Sequence, residues 1–189
     1  MDKHELLNIL NEFPIIGAVK NDAELEKCLK SDCGVIFILY GDIINISGVV
    51  SRIKGADKLA MVHVDLIDGL APRDVAIDFI ARNTDADGII TTKPSLVKHA
   101  KSLGLLTVQR FFVLDSLSVV DVSKKLPLEY ADLIEILPGI APKIIRRLSL
   151  SAGKPIIAGG LISEKEDIIA ALDAGAVAVS STNPEVWFM

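Results

Sequence analysis

The strongest constraint on the fold of this chain comes from eight short runs of apolar, mostly β-branched residues that recur along its 189 residues. Few charged residues interrupt the runs, so they lack the alternation of a half-buried strand. Continuous apolar runs are typical of strands buried on both faces of a parallel sheet. The runs are PIIGAVK (14–20), VIFILYG (35–41), LAMVHVDL (59–66), GIITTK (88–93), LLTVQRFFV (105–113), LIEILP (133–138), PIIAGGL (155–161) and AVAVSS (176–181).

Amphipathic segments with recognisable helix caps separate these runs. Asn21 precedes Glu24 by three residues and predicts a helix after the first run. Ser163 followed by Glu166 predicts a capping box after the seventh run, in a helix that ends at Gly175. Strands therefore alternate with helices along the chain.

This alternation predicts an α/β protein with a single domain over residues 1–189, a parallel (β/α)8 TIM-type barrel. An open doubly wound sheet is the less favoured alternative. Only Pro184–Met189 follow the last strand. We therefore expect a minimal barrel with a truncated last helix.

The composition restricts the cellular compartment in which the chain is expected and the classes of partner that it is expected to bind. No apolar stretch has the length of a signal peptide or a membrane span, and Cys28 and Cys33 match neither a disulfide framework nor a zinc pattern. We expect a reduced, cytoplasmic protein that does not contact a membrane. The net charge of −5 provides no overall attraction to nucleic acid.

Small residues end the two last strands at the carboxyl face of the predicted barrel, where such folds place their sites. Gly159 and Gly160 end the seventh strand, and Ser180 and Ser181 end the eighth. Glycines let backbone amides approach an anion, hydroxyls donate to it, and the following helix terminus adds partial positive charge. These four residues predict a phosphate site; the alternative is a tight turn with serines that cap a helix.

Charged residues occur at the ends of other strands. Lys20 and Lys93 could contribute charge to the same anion or could be solvated residues of the rim. Glu135 lies inside the sixth run, and a buried carboxylate is costly without a partner. We expect Arg110 on the adjacent strand, or a lysine, to neutralise Glu135.

His63 and Asp65 lie two residues apart and are predicted on one face of the third strand. Together with Glu135 they would offer a metal ion only three candidate ligands, so no metal site is predicted. The favoured interpretation is a hydrogen-bonded interior histidine and an aspartate that fixes a ligand hydroxyl. Alternatively, Asp65, Lys93 and Glu135 could be the acid–base set of a barrel isomerase, aldolase or phosphodiesterase, in which Lys93 is a conceivable Schiff-base amine.

Six blocks of the sequence, in order, resemble the glycerol-3-phosphate-responsive antiterminators that regulate glycerol uptake operons. They are FPIIGAVKN, HVDLIDGL, DGIITTK, TVQRFFVLDS, IEILPGIAPKII and PIIAGGLISEKEDIIAALDAGAVAVSSTN, and they extend from about Phe13 to Trp187. The resemblance implies a cytoplasmic regulator that binds glycerol-3-phosphate and acts on the leader mRNA of glycerol-utilisation genes to prevent premature termination. It also implies a barrel without catalysis and with no cofactor beyond this effector.

By the same resemblance, Gly159, Gly160, Ser180 and Ser181 would hold the phosphate. The polyol end would be lined by Lys20, Asp65, Lys93, Arg110 and Glu135.

RNA binding requires a positive surface. The best candidates along the chain are Lys124, Lys125, Lys143, Arg146 and Arg147. The last three have helical spacing and could share one face, although an ordinary solvated helix is the simpler alternative. A phosphate-binding barrel that acts through a protein partner, or as a homo-oligomer, also remains open at this point.

Overall fold

The computed structural model of the protein describes residues 2–115 and 130–189. Eight parallel strands form a closed barrel in which each strand pairs with the next and the last pairs with the first. The predicted (β/α)8 fold is confirmed. The strands are β1 (Ile15–Val19), β2 (Val35–Ile38), β3 (Leu59–His63), β4 (Gly88–Thr91), β5 (Leu106–Phe112), β6 (Leu133–Leu137), β7 (Ile156–Gly159) and β8 (Ala178–Ser181).

Seven α-helices occur in the described part of the chain. They are α1 (Lys3–Glu12), α2 (Asp22–Cys28), α3 (Ile46–Lys54), α4 (Asp74–Asn83), α5 (Pro94–Ser102), α6 (Pro142–Ser151) and α7 (Lys165–Asp173). Residues 116–129, between β5 and β6, lie outside the described residues, and the helix predicted there is not part of this description.

Helix α1, which the sequence prediction did not include, precedes the barrel. Asp2 caps it by accepting hydrogen bonds from the amides of His4 and Glu5. Its Leu6 and Leu10, one turn apart, are buried in the apolar cluster that fills the barrel interior. Helix α1 therefore covers the amino-terminal end of the barrel and leaves the carboxyl end for a site.

The eighth helix is reduced to a 3₁₀ turn over Val186–Phe188, so the predicted truncation is confirmed. Trp187 in this turn is fully buried, and its indole N–H donates to the Ser181 carbonyl oxygen at 2.8 Å. This turn contacts β1, and Trp187 belongs to the larger of the two buried apolar clusters.

The predicted cap of α2 is confirmed, because the Asn21 side chain accepts a hydrogen bond from the Glu24 amide at 2.9 Å. The predicted cap of α7 is wrong by one residue. Glu164 is the N-cap, and Asp167 accepts the Ser163 and Glu164 amides at 3.0 and 3.1 Å. Asp167 therefore already pairs the two amides that precede the first residue of α7.

Strand β3 is shorter than predicted. It ends at His63, and Val64–Leu66 form a 3₁₀ turn. The prediction that His63 and Asp65 share one face of a strand is therefore wrong. Hydrogen bonds from Thr91 and Thr92 to the Asp65 carboxylate hold this turn against the end of β4.

Two observations bear on the environment of the chain. Cys28 and Cys33 are buried free thiols. Among the residues that the structure describes, no helix is both long enough and apolar enough to cross a membrane.

Candidate functional site at the carboxyl end of the barrel

A layer of polar side chains lies directly above the apolar interior of the barrel. Alternate residues of a strand face the same side, and four of the strands place a polar residue two positions after an apolar one. The pairs are Met61 and His63, Val108 and Arg110, Leu133 and Glu135, and Ala178 and Ser180. All four polar residues are buried, and they form the floor of the open end.

A buried ion pair dominates this floor. Arg110 and Glu135 are partners in the β5–β6 register, and the Arg110 Nε–H donates to Glu135 Oε2 at 2.5 Å. The Ser180 hydroxyl donates to Glu135 Oε1, also at 2.5 Å. Since Glu135 has no exposed surface, the two donors replace its lost hydration. The prediction that Arg110 neutralises Glu135 is confirmed.

Gly159 is small because the Glu135 carboxylate passes over it. A Cβ at this position would lie 2.5 Å from Glu135 Oε1 and 2.6 Å from the Ser180 hydroxyl oxygen. The space beside Gly159 is therefore filled by protein atoms. The chain then turns through Gly160 and Leu161, whose φ angles of 78° and 63° lie in the left-handed region.

A cavity of about 400 Å³ opens beside the ion pair. Arg110 and Glu135 form part of its wall, and the loops after β7 (160–163) and β8 (181–183) form the other side, with apolar contacts from Ala18, Leu39 and Leu137. In the described chain, Arg110 uses only its Nε–H, for Glu135. The remaining guanidinium N–H groups can therefore donate to a molecule in the cavity.

Ser180 and Ser181 line the cavity, but each hydroxyl already donates its proton to a protein acceptor. Ser180 donates to Glu135, and Ser181 donates to the Ile162 carbonyl at 2.7 Å while accepting the Asn183 amide at 3.0 Å. Sequence reasoning did not assign a role to Thr182, which also lines the cavity and whose side chain makes no hydrogen bond to a described residue. Its hydroxyl can donate to a ligand.

A second polar cluster lies at the ends of β3 and β4. The Asp65 carboxylate accepts hydrogen bonds from the Thr91 hydroxyl at 3.0 Å, the Thr92 amide at 2.8 Å and the Lys93 ammonium at 3.1 Å. Burial alone would raise the pKa of Asp65, but these donors together lower it below its ordinary value. Asp65 is thus saturated by protein groups, and neither it nor Lys93 lines the cavity.

Lys20 also lies away from the cavity wall. Its ammonium group pairs with Glu24 at 3.6 Å, and half of its side chain is exposed. Of the nine ligand residues suggested by sequence, the structure places Arg110, Glu135, Gly160, Ser180 and Ser181 around one cavity. Gly159 lies behind the Glu135 carboxylate, and Lys20, Asp65 and Lys93 lie elsewhere on the rim.

His63 differs from its predicted environment. It is 3% exposed, yet its Nδ1 is the one buried side-chain nitrogen or oxygen atom without a hydrogen-bond partner in the described residues. Burial, and secondarily the Arg110 charge, lowers the pKa of His63 to about 4. The expectation of a hydrogen-bonded interior histidine is wrong at this atom. Within the described ranges, no group of three metal-ligating side chains is found.

The basic residues proposed for RNA lie partly on α6. Lys143, Arg146 and Arg147 are exposed there, and Arg146 Nη2 donates to the Asp173 carbonyl at the end of α7, at 3.0 Å. Lys124 and Lys125 lie outside the described residues. The structure therefore places three of the five candidates on one helix, and one of these three also joins α6 to α7.

The fold and the cavity define a (β/α)8 barrel with a small polar site at its carboxyl end. The sequence matches the glycerol-3-phosphate responsive antiterminators over residues 15–187. This chain belongs to that family, whose name indicates a regulatory role.

Related proteins extend this comparison. The chain is 43% identical over 182 residues to Uncharacterized protein YgcP of Escherichia coli K12, covering 96% of this chain and 95% of that protein. It is similar to the crystal structure of a glycerol uptake operon antiterminator regulatory protein from Listeria monocytogenes, with 32% identity, a TM-score of 0.88, and coverage of 93% and 95%. A glycerol uptake operon antiterminator-related protein from Thermotoga maritima shares 32% identity, with a TM-score of 0.80 and coverage of 93% and 98%.

Proposed function

We propose that this protein is a cytoplasmic regulator that binds glycerol-3-phosphate in the cavity at the barrel mouth. In its ligand-bound form it acts on the leader mRNA of glycerol-utilisation genes and prevents premature termination. Membership of the antiterminator family supports the regulatory role, and the cavity supports the choice of a small anionic ligand.

The observation that carries this proposal is the fixed orientation of Arg110. Glu135 holds the Nε edge of the guanidinium, so its other N–H groups are presented at the wall of a cavity that the β7 and β8 loops enclose. A guanidinium with free donors in a fixed plane suits a phosphate. The Thr182 hydroxyl and the loop after Gly160 lie on the same cavity.

The size of the cavity fits the proposed ligand. At about 400 Å³ it lies in the range of small-molecule sites, roughly 300–1,000 Å³. Ala18, Leu39 and Leu137 give part of the cavity wall an apolar surface, against which a short carbon chain can pack. We propose that the phosphate lies near Arg110 and the residues 160–163 and 180–183, and that the polyol extends toward the barrel axis.

The exposed basic residues of helix α6 are the surface that we propose for RNA binding. Lys143, Arg146 and Arg147 are exposed on it, and α6 follows β6, the strand that carries Glu135. The strand that contributes Glu135 to the ligand cavity is therefore directly followed along the chain by the helix that carries these basic residues. For a switch, the ligand has to bind the RNA-competent state more tightly than the other state.

The enzyme alternative needs Asp65, Lys93 and Glu135 to act together. In the structure Asp65 and Lys93 pair with each other at β3 and β4, whereas both oxygens of Glu135 accept hydrogen bonds from Arg110 and Ser180. This separation favours the regulatory proposal. Incubation of the protein with glycerol-3-phosphate should leave the ligand unchanged by ³¹P NMR.

The direct test is binding of leader RNA in the presence and absence of glycerol-3-phosphate. We expect the ligand to raise Tm and to tighten RNA binding in a gel-shift titration, whereas an equal concentration of glycerol plus inorganic phosphate does neither. An RNA affinity that does not change with the ligand, or no RNA binding at low salt, would contradict the proposal.

A further inference from the structure

The charged side chains that line the cavity at the barrel mouth cancel each other. Among the described residues of its wall, Arg110 is the one cation and Glu135 is the one anion. The two form a buried ion pair, so the charge of Arg110 is already balanced before a ligand enters. This wall therefore offers a ligand hydrogen-bond donors without an excess of positive charge.

The start of helix α7 adds negative charge beside the same cavity. Ser163, which lines the cavity, donates its amide and its hydroxyl to Asp167 Oδ2 at 3.0 and 3.3 Å. The hydrogen bond from the Ser163 amide is the main reason why the pKa of Asp167 lies below its ordinary value. This carboxylate is therefore ionised above about pH 5, and it repels an anion in the cavity.

The other ionisable groups at the strand ends leave this balance unchanged. Lys20 pairs with Glu24 at 3.6 Å, and Lys93 pairs with Asp65 at 3.1 Å. Each of these two lysines thus has a carboxylate partner. His63, whose pKa burial lowers to about 4, is neutral near pH 7 and adds no charge to the floor.

We propose that the cavity selects a phosphate group that carries a single negative charge. Two kinds of ligand share this chemistry, namely glycerol-3-phosphate that keeps one proton and a glycerol phosphodiester. This inference rests on the proposed function, which supplies a phosphate near Arg110. It adds the charge state in which that phosphate is bound.

The physical reason is the cost of a second negative charge in this cavity. Removing a charge from water is unfavourable unless the site supplies an opposite charge, and a dianion also meets twice the repulsion from Glu135 and Asp167. Nearby like charges raise the pKa of an acid. A phosphomonoester, whose second pKa in water is about 6, should therefore take up a proton when it binds at pH 7.

Isothermal titration calorimetry from pH 5.5 to 8 tests this inference with two ligands. They are glycerol-3-phosphate and its methyl phosphodiester, whose single charge is constant over this range. If only the monoanion binds, the apparent Kd of glycerol-3-phosphate should rise about 10-fold for each pH unit above about 6, because only the protonated fraction is competent. The Kd of the diester should stay within about 2-fold, and the two Kd values at pH 5.5 show which ligand the site prefers.

Two variants of α7 test the source of the repulsion. Asp167→Asn keeps an acceptor for the Ser163 amide but removes the charge, so it should favour the dianion and make the pH dependence of Kd shallower. Asp173→Asn, at the other end of α7, is the matched control, because it changes the net charge equally and should keep the wild-type slope. Tm verifies that both variants fold. Identical slopes in the two variants would overturn the role of Asp167.

The outcomes separate this inference from the proposed function. If glycerol-3-phosphate binds as tightly at pH 8 as at pH 5.5, or more tightly, the cavity accepts the dianion and this inference alone is wrong. If the Kd of the diester rises in parallel, the pH dependence belongs to the protein and the inference is again wrong. If neither ester binds at any pH, the proposed function is wrong as well.

Discussion

Glu135 and Asp65 both lie at the carboxyl end of the barrel, and each pairs with a cation, but their surroundings differ. Glu135 is fully buried and binds the inner edge of Arg110, whose other donors line a cavity. Asp65 binds two threonines and the half-exposed Lys93 on the rim. The comparison teaches that pairing with a cation does not by itself distinguish the two regions: the donors left over on Arg110 line an enclosed cavity, whereas those of Lys93 face the solvent at the rim. Three predictions test this contrast and a fourth tests the basic surface of α6, from the largest expected effect on stability to the smallest.

Removal of the buried carboxylate should have the largest effect on stability. Glu135→Ala leaves Arg110 buried without a counter-charge, which typically costs about 3–5 kcal/mol. Urea denaturation of the variant and the wild type measures this difference. The double variant Arg110→Met with Glu135→Leu is the control, since an apolar pair of similar volume should restore most of the stability. A loss below about 1 kcal/mol in Glu135→Ala would show that Arg110 does not depend on Glu135.

Substitution of Gly159 tests the close approach of the same carboxylate. The new Cβ in Gly159→Ala would lie 2.5 Å from Glu135 Oε1, and overpacking of this kind costs roughly 1–3 kcal/mol. Gly48→Ala is the matched control, because a Cβ at Gly48 in α3 meets no atom within 4 Å and alanine favours a helix by about 0.5–1 kcal/mol. Equal Tm values for the two variants would contradict the described packing.

Asp65→Asn should cost about 1 kcal/mol at pH 7, because the amide keeps one acceptor but loses the charge that attracts Lys93. The pKa of Asp65 is lower in the folded protein than in the unfolded chain. Its contribution is therefore complete above the unfolded pKa of about 4 and disappears as the pH falls through the lowered folded value. Chemical denaturation from pH 2.5 to 7 should show the two proteins converging at the acidic end. A constant difference over that range would contradict the charge assignment.

Charge removal on α6 should leave stability within about 0.5 kcal/mol of the wild type. If α6 contacts RNA, Lys143→Ala with Arg147→Ala should weaken binding of leader RNA and reduce the salt dependence of log K by about 1 for each lost phosphate contact. Lys165→Ala, on the neighbouring helix α7, is the control for a nonspecific change in charge. Identical salt slopes for all three proteins would remove α6 from the RNA surface.

The sequence predicted the barrel because buried parallel strands have a strong signature, the continuous apolar run. It also predicted that Arg110 or a lysine would pair with Glu135, since a carboxylate between two isoleucines needs a neighbouring cation. The chain turn after His63 escaped prediction because it depends on hydrogen bonds between Asp65 and the distant residues Thr91 and Thr92. The sequence shows a small residue at position 159, but the reason for it, a carboxylate from β6, is a tertiary contact that no local pattern contains.

The proposed function requires that the ligand binds on the side of the barrel mouth formed by the ends of β7 and β8. Titration of ¹⁵N-labelled protein with glycerol-3-phosphate, followed through assigned amide resonances, tests this most directly. We expect saturable shifts centred on residues 160–163 and 180–183, with little change at Asp65 and residues 91–93. Saturable shifts centred on Asp65 and residues 91–93, or no saturable shift at all, would contradict the account.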